Sequence, residues 1–128
     1  MGLGKGKMFL IRGIRGATTI EVDTPEEVVE ATRELLAVMV ERNGIDRESI
    51  AAVMFTATSD VKSEFPALAA RQMGWTSVPL LCFQEMEVNG ALSRCIRVLM
   101  LINTDRNQDD IHHVYLRQAS FLRQDIVE

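Results

Sequence analysis

The region from Val78 to Thr104 contains two apolar segments separated by Asn89-Gly90, a dipeptide typical of tight turns between strands. This pattern predicts two paired strands, and a tight turn would place Cys82 opposite Arg97 on one face. Side chains alternate along a strand, so one face of the second strand carries four residues: Cys95, Arg97, Leu99 and Leu101. We expect this face to be buried. Because a buried guanidinium needs a counter-charge, the pattern predicts an anion beside Arg97, supplied by Glu85 or by a ligand.

A second alternating stretch, from Met8 to Val22, predicts a long strand that places Arg15 on another apolar face. Gly13 and Gly16 lie beside this arginine and leave space for a close approach to the backbone. Two interpretations stay open. Arg15 pairs with a core carboxylate at the strand end, which strand position alone favours, or it binds a ligand.

Helix signals fill the next part of the chain. Thr24-Pro25-Glu26-Glu27 combines a capping threonine, a proline at the first helical position and a glutamate three residues after the cap. Mostly apolar side chains then recur at helical spacing on one stripe: Val28, Thr32, Leu35, Leu36 and Met39. Asn43-Gly44 ends the pattern. We predict a structural helix whose charged face carries no chemistry.

The middle of the chain predicts a strand and a short helix. Residues 49–58 contain a continuous apolar run, typical of a central strand that is covered on both faces. The helix is expected to start at Pro66 and to stop at Gly74. Arg71 lies in its last turn, where a cation favours the helix dipole, so a structural cap is the default interpretation. Phe65, just before the helix, is either a packing contact or a pocket wall.

Length and composition predict one globular domain over residues 8–128, after a glycine- and lysine-rich leader at 1–7 that we expect to be disordered. Of the 128 residues, 47% are hydrophobic and 25% are charged, which suits a packed core. The net charge of −4 argues against a general nucleic-acid surface, and no apolar run is long enough for a membrane span. Two cysteines in apolar strands, without a secretory signal, indicate reduced thiols in a cytoplasmic protein.

The unexplained arginines point to an anion site. Five side chains would together suit a small ligand with two carboxylates: Arg15, Arg71, Arg97, Arg123 and Tyr115. The sequence has no phosphate-binding loop, zinc spacing or serine nucleophile motif. Adjacent His112 and His113 point to opposite faces of an extended segment, so we expect no metal site there. Two interpretations stay open, plain anion binding and a reaction that needs only positioning and charge stabilisation.

Several segments of the chain resemble one known family. They are RGIRGATT at 12–19, FPALAAR at 65–71, GWTSVPLLCFQEMEV at 74–88, CIRVL at 95–99 and HVYLRQASFLRQD at 113–125. In order and spacing they are similar to the AroH-class chorismate mutases. The resemblance implies an α+β fold, in which helices pack on a mixed β-sheet and three copies form a pseudo-α/β barrel with clefts between subunits. It also implies the Claisen rearrangement of chorismate to prephenate, in phenylalanine and tyrosine biosynthesis, without a cofactor.

The resemblance further implies roles for individual residues. Arg97 would contact the ether oxygen and a carboxylate of the substrate, while Arg15 and Tyr115 would hold the side-chain carboxylate. Glu85 and the strand end at Cys82 would engage the ring hydroxyl. As the ether bond breaks, negative charge grows on its oxygen, so a fixed cation there favours the transition state over the ground state.

The resemblance also implies site residues from a neighbouring subunit and from the C-terminal tail. A neighbouring subunit would contribute Phe65, Ala67 and Arg71, and the C-terminal tail would contribute Leu122 and Arg123.

An alternative function of another class is a non-catalytic trimer of similar fold that binds a small dicarboxylate, or one that hydrolyses imines. The presence of Glu85 beside the arginines favours the mutase, because an acid beside the ligand brings nothing to an anion binder.

Overall fold

The computed structural model describes residues 9–123, except for the side chain of Arg123, so the predicted leader at 1–7 lies outside the described residues. Five strands follow one another along the chain: β1 Leu10–Thr19, β2 Ile50–Ala57, β3 Leu80–Gln84, β4 Cys95–Thr104 and β5 Val114–Tyr115. The helices are α1 Pro25–Asn43 and α2 Ala67–Gln72. Short 3₁₀ segments lie at Arg47–Ser49, Gln108–Asp110 and Arg117–Arg123. The predicted α+β class is confirmed.

The strands form one mixed sheet in the order β3-β2-β4-β1-β5. Strand β4 runs antiparallel to β2 and β1, whereas β3 is parallel to β2 and β5 is parallel to β1. The predicted pairing of β3 with β4 is therefore wrong, because β2 lies between them and separates Cys82 from Arg97. The turn itself is present, since the Ala91 N–H donates to the Val88 carbonyl at 3.0 Å and Gly90 has a φ of 83°. It lies in a loop that is long enough to cross β2.

Helices α1 and α2 cover one face of this sheet and enclose the main core. Ile14 of β1, Phe55 of β2 and Val98 of β4 lie at the covered face and are buried. The predicted stripe of α1 is fully buried: Val28, Thr32, Leu35, Leu36 and Met39. Gly16 allows the close contact between β1 and α1, because a Cβ at this position would lie 2.5 Å from the Met39 sulfur.

Neither α1 nor α2 covers the other face of the sheet, which is bordered only by the 3₁₀ segment at Arg117–Arg123 among the helical segments of the described residues. Arg97 and Leu99 of β4 are exposed there, so the expectation of a buried face around Arg97 is wrong for the single chain. The buried side chains of β4 alternate with them: Ile96, Val98, Met100 and Ile102. Strand β2 is likewise covered on one face only, since Met54 and Thr56 are half-buried. Both faces carry apolar residues, so alternation alone does not tell which of them the helices cover.

The ends of α1 follow the predicted signals. The Thr24 hydroxyl accepts a hydrogen bond from the Glu27 N–H at 3.2 Å, and Gly44 ends the helix in the left-handed conformation, with φ 58° and ψ 45°. Asn43, the last helical residue, is buried and exchanges two hydrogen bonds of 2.8 Å with the His112 backbone. These bonds tie the end of the helix to the segment that leads into β5.

The second helix is short. It begins at Ala67, one residue after the predicted start at Pro66, and Gly74 follows its end with a φ of 88°. Arg71 lies in its last turn and is exposed. Neither helix of the described chain is long and apolar enough to cross a membrane.

Candidate active site

A cavity of about 490 Å³, which we call the arginine cavity, lies on the open face of the sheet. Five of the residues predicted from the sequence line it: Arg15, Glu85, Arg97, Tyr115 and Leu122. Met54, Thr56, Phe83 and Leu99 supply further parts of its wall. The cavity therefore combines two guanidinium groups, one carboxylate and one phenol with apolar surface.

The register of the sheet explains why these side chains meet. Arg97 on β4 has Ala17 of β1 on one side and Thr56 of β2 on the other. Tyr115 of β5 is the neighbour of Ala17 and shares its face. Arg15 precedes Ala17 by two residues, which keeps it on that face as well. Since adjacent strands lie about 4.8 Å apart and residues two apart on a strand about 6.6 Å, one small ligand can reach all three functional groups.

An ion pair between Arg97 and Glu85 occupies the arginine cavity. Nε of Arg97 lies 3.4 Å from Oε2 of Glu85, which is longer than the roughly 2.7–2.9 Å of a close charge-assisted hydrogen bond. Two other donors hold this carboxylate: the Thr56 hydroxyl reaches Oε2 at 3.0 Å and the Met86 N–H reaches Oε1 at 3.1 Å. The Arg97 side chain stays 47% exposed. The anion predicted beside Arg97 is thus Glu85, and the guanidinium still faces the cavity.

The backbone of Arg15 is held from the outer edge of β1. Its N–H donates to Nδ1 of His113 at 2.9 Å. Two residues earlier, the side-chain amide of Gln108 both accepts from the Gly13 N–H at 3.1 Å and donates to the Gly13 carbonyl at 2.7 Å. These side chains replace a strand partner before β5 begins. The Arg15 side chain is exposed on the cavity wall, so its pairing with a core carboxylate is not supported.

The remaining predicted residues lie in another part of the chain. Phe65 and Cys82 line a second cavity of about 480 Å³, which we call the Phe65 cavity. Cys82 is the strand neighbour of Phe55 on the helix-covered face, and burial raises the pKa of its thiol. Ala67 is only 2% exposed at the start of α2, whereas Arg71 is exposed near its end. The predicted residues therefore form two groups on different faces of one chain.

Comparison with known proteins identifies one family. The family model described as chorismate mutase type I matches residues 11–126. The chain belongs to this family. It is 58% identical over 118 residues to chorismate mutase AroH of Thermus thermophilus, an alignment that covers 91% of this chain and 97% of that protein. It is 48% identical over 119 residues to chorismate mutase AroH of Bacillus subtilis strain 168, covering 92% and 94%.

A solved structure agrees with this assignment. Chorismate mutase from Clostridium thermocellum Cth-682 is 49% identical to the chain and superposes with a TM-score of 0.84, covering 85% of this chain and 97% of that one. The enzyme is therefore an isomerase that converts chorismate to prephenate on the route to the aromatic amino acids. The mutase function predicted from the sequence is confirmed, and the alternative of a dicarboxylate-binding or imine-hydrolysing protein is not supported.

Sequence reasoning missed two residues, Thr56 in the wall of the arginine cavity and His113 beside the Arg15 backbone. Thr56 is the only polar side chain in β2, and this was a usable signal, because a lone hydroxyl in an apolar strand needs a partner. The sequence brings up His113 only as a candidate metal ligand, whereas in the structure it accepts a hydrogen bond from the Arg15 backbone. Its role was not visible in the sequence, since it depends on the parallel approach of β5 to β1.

The tail segment of the mutase borders the arginine cavity through Leu122. Arg117, at the start of this segment, has a φ of 54° and places Nε 3.2 Å from a carboxylate oxygen of Glu34. Its Nη1 also donates to the Thr19 carbonyl at 3.2 Å. These contacts hold the segment against α1 and β1. The predicted contribution of Arg123 falls outside the described residues, because its side chain is not described.

Proposed function

We propose that the enzyme binds chorismate in the arginine cavity and accelerates its rearrangement by conformational positioning and by stabilising charge on the ether oxygen with Arg97. The observation that carries this proposal is the loose contact of Arg97 with Glu85, at 3.4 Å, beside a cavity of about 490 Å³. A guanidinium locked to an internal acid in a closed bidentate pair would have fewer N–H donors and less freedom of orientation left for substrate. The Arg97 guanidinium is half-exposed and lies on the same cavity wall as Arg15 and Tyr115.

The charges of the cavity match the substrate. Chorismate carries two carboxylates and a ring hydroxyl, and the cavity offers two guanidinium groups and one carboxylate. Arg15 and Tyr115 would hold the side-chain carboxylate, because guanidinium binds carboxylate through two parallel hydrogen bonds. Glu85 would accept a hydrogen bond from the ring hydroxyl. These contacts would select the folded, chair-like conformer of the substrate, which is the main task in a unimolecular rearrangement.

Arg97 would act mainly in the transition state. As the ether bond lengthens, negative charge accumulates on its oxygen, and a cation fixed by the sheet needs no reorganisation to meet it. An interaction that strengthens only as the bond breaks raises the rate of the chemical step rather than the affinity for substrate. The reaction transfers no group to the protein, so this mechanism requires neither a nucleophile nor a general base.

We further propose that three copies assemble and that each site is shared between two of them. Supporting this, the open face and the β3 end expose apolar side chains that an isolated chain would leave in water: Leu81, Phe83, Met86, Val88 and Leu99. In such a homotrimer the Phe65 cavity of one subunit would adjoin the arginine cavity of the next. Phe65, Ala67 and Arg71 would then complete the binding site, the strand end at Cys82 would engage the ring hydroxyl, and the tail with Leu122 and Arg123 would border the site. The free thiols of both cysteines support a cytoplasmic location.

Mixed trimers test the shared site directly. Arg97→Ala and Arg71→Ala each lower the activity when purified alone, but co-expression of the two variants restores part of it. With random assortment, about three quarters of the trimers are mixed, and each has one intact site of three, so about a quarter of wild-type activity returns. The readout is the loss of chorismate absorbance, with acid conversion of prephenate to phenylpyruvate as confirmation.

Arg97→Ala with Arg15→Ala is the matched control. Both residues lie in the arginine cavity of the same chain. Every site in a mixture of these variants lacks one arginine or the other, so no activity returns. Equal recovery in both mixtures, or no recovery with Arg71→Ala, would rule out the sharing of sites. Full activity of Arg71→Ala alone would remove Arg71 from the site.

A further inference from the structure

We propose that Thr56 is a positioning residue that keeps Glu85 from closing onto Arg97, and so keeps the guanidinium available for the substrate. This inference rests on the site proposed above. Thr56 lies in the centre of the sheet, between Arg97 on β4 and Phe83 on β3. Its hydroxyl donates to Oε2 of Glu85 at 3.0 Å, and the same oxygen lies 3.4 Å from Nε of Arg97.

The geometry of the carboxylate shows what the hydroxyl does. An unrestrained arginine and carboxylate close into two parallel hydrogen bonds of about 2.7–2.9 Å. Here each carboxylate oxygen of Glu85 already accepts from a neutral donor, Oε2 from Thr56 and Oε1 from the Met86 N–H. Both donors are fixed, one by a central strand and one by the backbone. The carboxylate is thereby held at a distance from Arg97 at which the ion pair stays open.

Threonine suits this position better than other hydroxyl residues. It is β-branched, so its side chain has few allowed rotamers in a strand and the hydroxyl direction is set by the backbone. Thr56 also lines both cavities, which places it on the wall between the two groups of site residues. Valine has nearly the same shape but lacks the donor, and serine has the donor but less stiffness. Substitution of Thr56 by valine and by serine therefore distinguishes the effect of the hydrogen bond from the effect of side-chain packing.

Loss of the hydroxyl has a defined kinetic signature. Without it, Oε2 of Glu85 loses a donor, and the carboxylate turns toward the nearest remaining one, the guanidinium of Arg97. The closed pair engages two of the five guanidinium N–H groups and fixes the plane of the guanidinium toward Glu85, so that it no longer turns to meet the ether oxygen. Because the contact with the ether oxygen strengthens in the transition state, the loss falls mainly on kcat, and KM rises by less than kcat falls.

The experiment compares Thr56→Val and Thr56→Ser with the wild-type enzyme in the chorismate assay. A hydrogen bond to a charged group is removed in the first variant, so kcat falls about tenfold or more, whereas Thr56→Ser stays within about threefold of wild type. Thr18→Val is the matched control. Within the described part of the chain, the buried Thr18 hydroxyl has no hydrogen-bond partner. Its loss therefore leaves the activity unchanged, and the melting temperature stays the same or rises.

A double-mutant cycle with Glu85→Ala distinguishes positioning from a purely structural role. If Thr56 acts through Glu85, then Thr56→Val lowers kcat in the wild-type background and has no further effect once the carboxylate is gone. An equal loss in both backgrounds, or equal losses in Thr56→Val and Thr56→Ser, would overturn the inference. Thr56→Ala serves as a second hydroxyl-free variant if the valine variant does not fold.

The outcomes also separate this inference from the proposed site. Full activity of both Arg97→Ala and Glu85→Ala would reject the arginine cavity as the active site. If those two variants lose activity while Thr56→Val keeps the wild-type kcat, the site stands and the positioning role of Thr56 is wrong.

Discussion

Replacing Arg97 by lysine is the most informative test of how the enzyme works. The change keeps a positive charge on the open face of β4 but removes the planar fork of N–H donors. If net charge alone drives the reaction, Arg97→Lys retains most of the activity. If a guanidinium must contact the ether oxygen and a carboxylate together, Arg97→Lys loses most of the activity, since an ammonium is a single compact donor centre.

The structure gives a size for the effect. The Nε of Arg97 is already in contact with Glu85 at 3.4 Å, so a lysine ammonium at this position has the same carboxylate within reach. The pair at this position is partly exposed, so a Lys–Glu contact would be worth only about 0.2–1 kcal/mol, but it would still hold the ammonium on the carboxylate and away from the ether oxygen. Losing a fixed donor to a developing oxyanion costs roughly 3–4 kcal/mol, or several hundredfold in rate. We therefore expect Arg97→Lys to be nearly as slow as Arg97→Ala.

The assay follows the loss of chorismate absorbance at saturating substrate, so that kcat is measured separately from KM. Arg42→Lys is the matched control, because Arg42 lies in the last turn of α1, away from both cavities. Thermal melting checks that each variant is folded. A kcat for Arg97→Lys within a few-fold of wild type would refute the reasoning, since it would mean that charge without geometry is sufficient.

Two further predictions use the shifted pKa values. Hydrogen bonds from the Ser63 hydroxyl and the Lys62 N–H lower the pKa of Asp23 below its ordinary 3.8. Asp23→Asn therefore lowers the melting temperature relative to wild type at pH 7. This difference in melting temperature shrinks as the pH falls below 3.8, because the wild-type carboxylate then becomes protonated and neutral. A difference that stays constant down to pH 3 would contradict this. Burial raises the pKa of the Cys82 thiol. Alkylation by iodoacetamide, measured by intact mass, is therefore slow at pH 7 and becomes faster only in alkaline solution. Fast, complete labelling at pH 7 would show instead that the thiol is an accessible thiolate.

Features that depend on near neighbours in the chain were predictable from the sequence. The cap at Thr24, the stop at Gly44 and the buried stripe of α1 all follow from side chains within a few residues of one another. The turn at Asn89-Gly90 was also predicted correctly, because its conformation is decided by two adjacent residues. An arginine on an apolar strand face also predicted an anion beside Arg97, and Glu85 lies there, because the need of a guanidinium for a counter-charge depends on its chemistry and not on the fold.

The pairing of distant segments was decided only in three dimensions. A turn does not fix which strands pair, so the sequence pattern joined β3 to β4, whereas the fold inserts β2 between them. Alternation shows that a strand has two faces but not which of them the helices cover, so the pattern predicts a buried face at Arg97, whereas that face is open. For the same reason, the contact of Glu85 with Thr56 and the support of Arg15 by His113 were not visible in the sequence. Residue types and local structure follow from the sequence alone, but the arginine cavity forms because the register of the sheet brings β1, β2, β4 and β5 side by side.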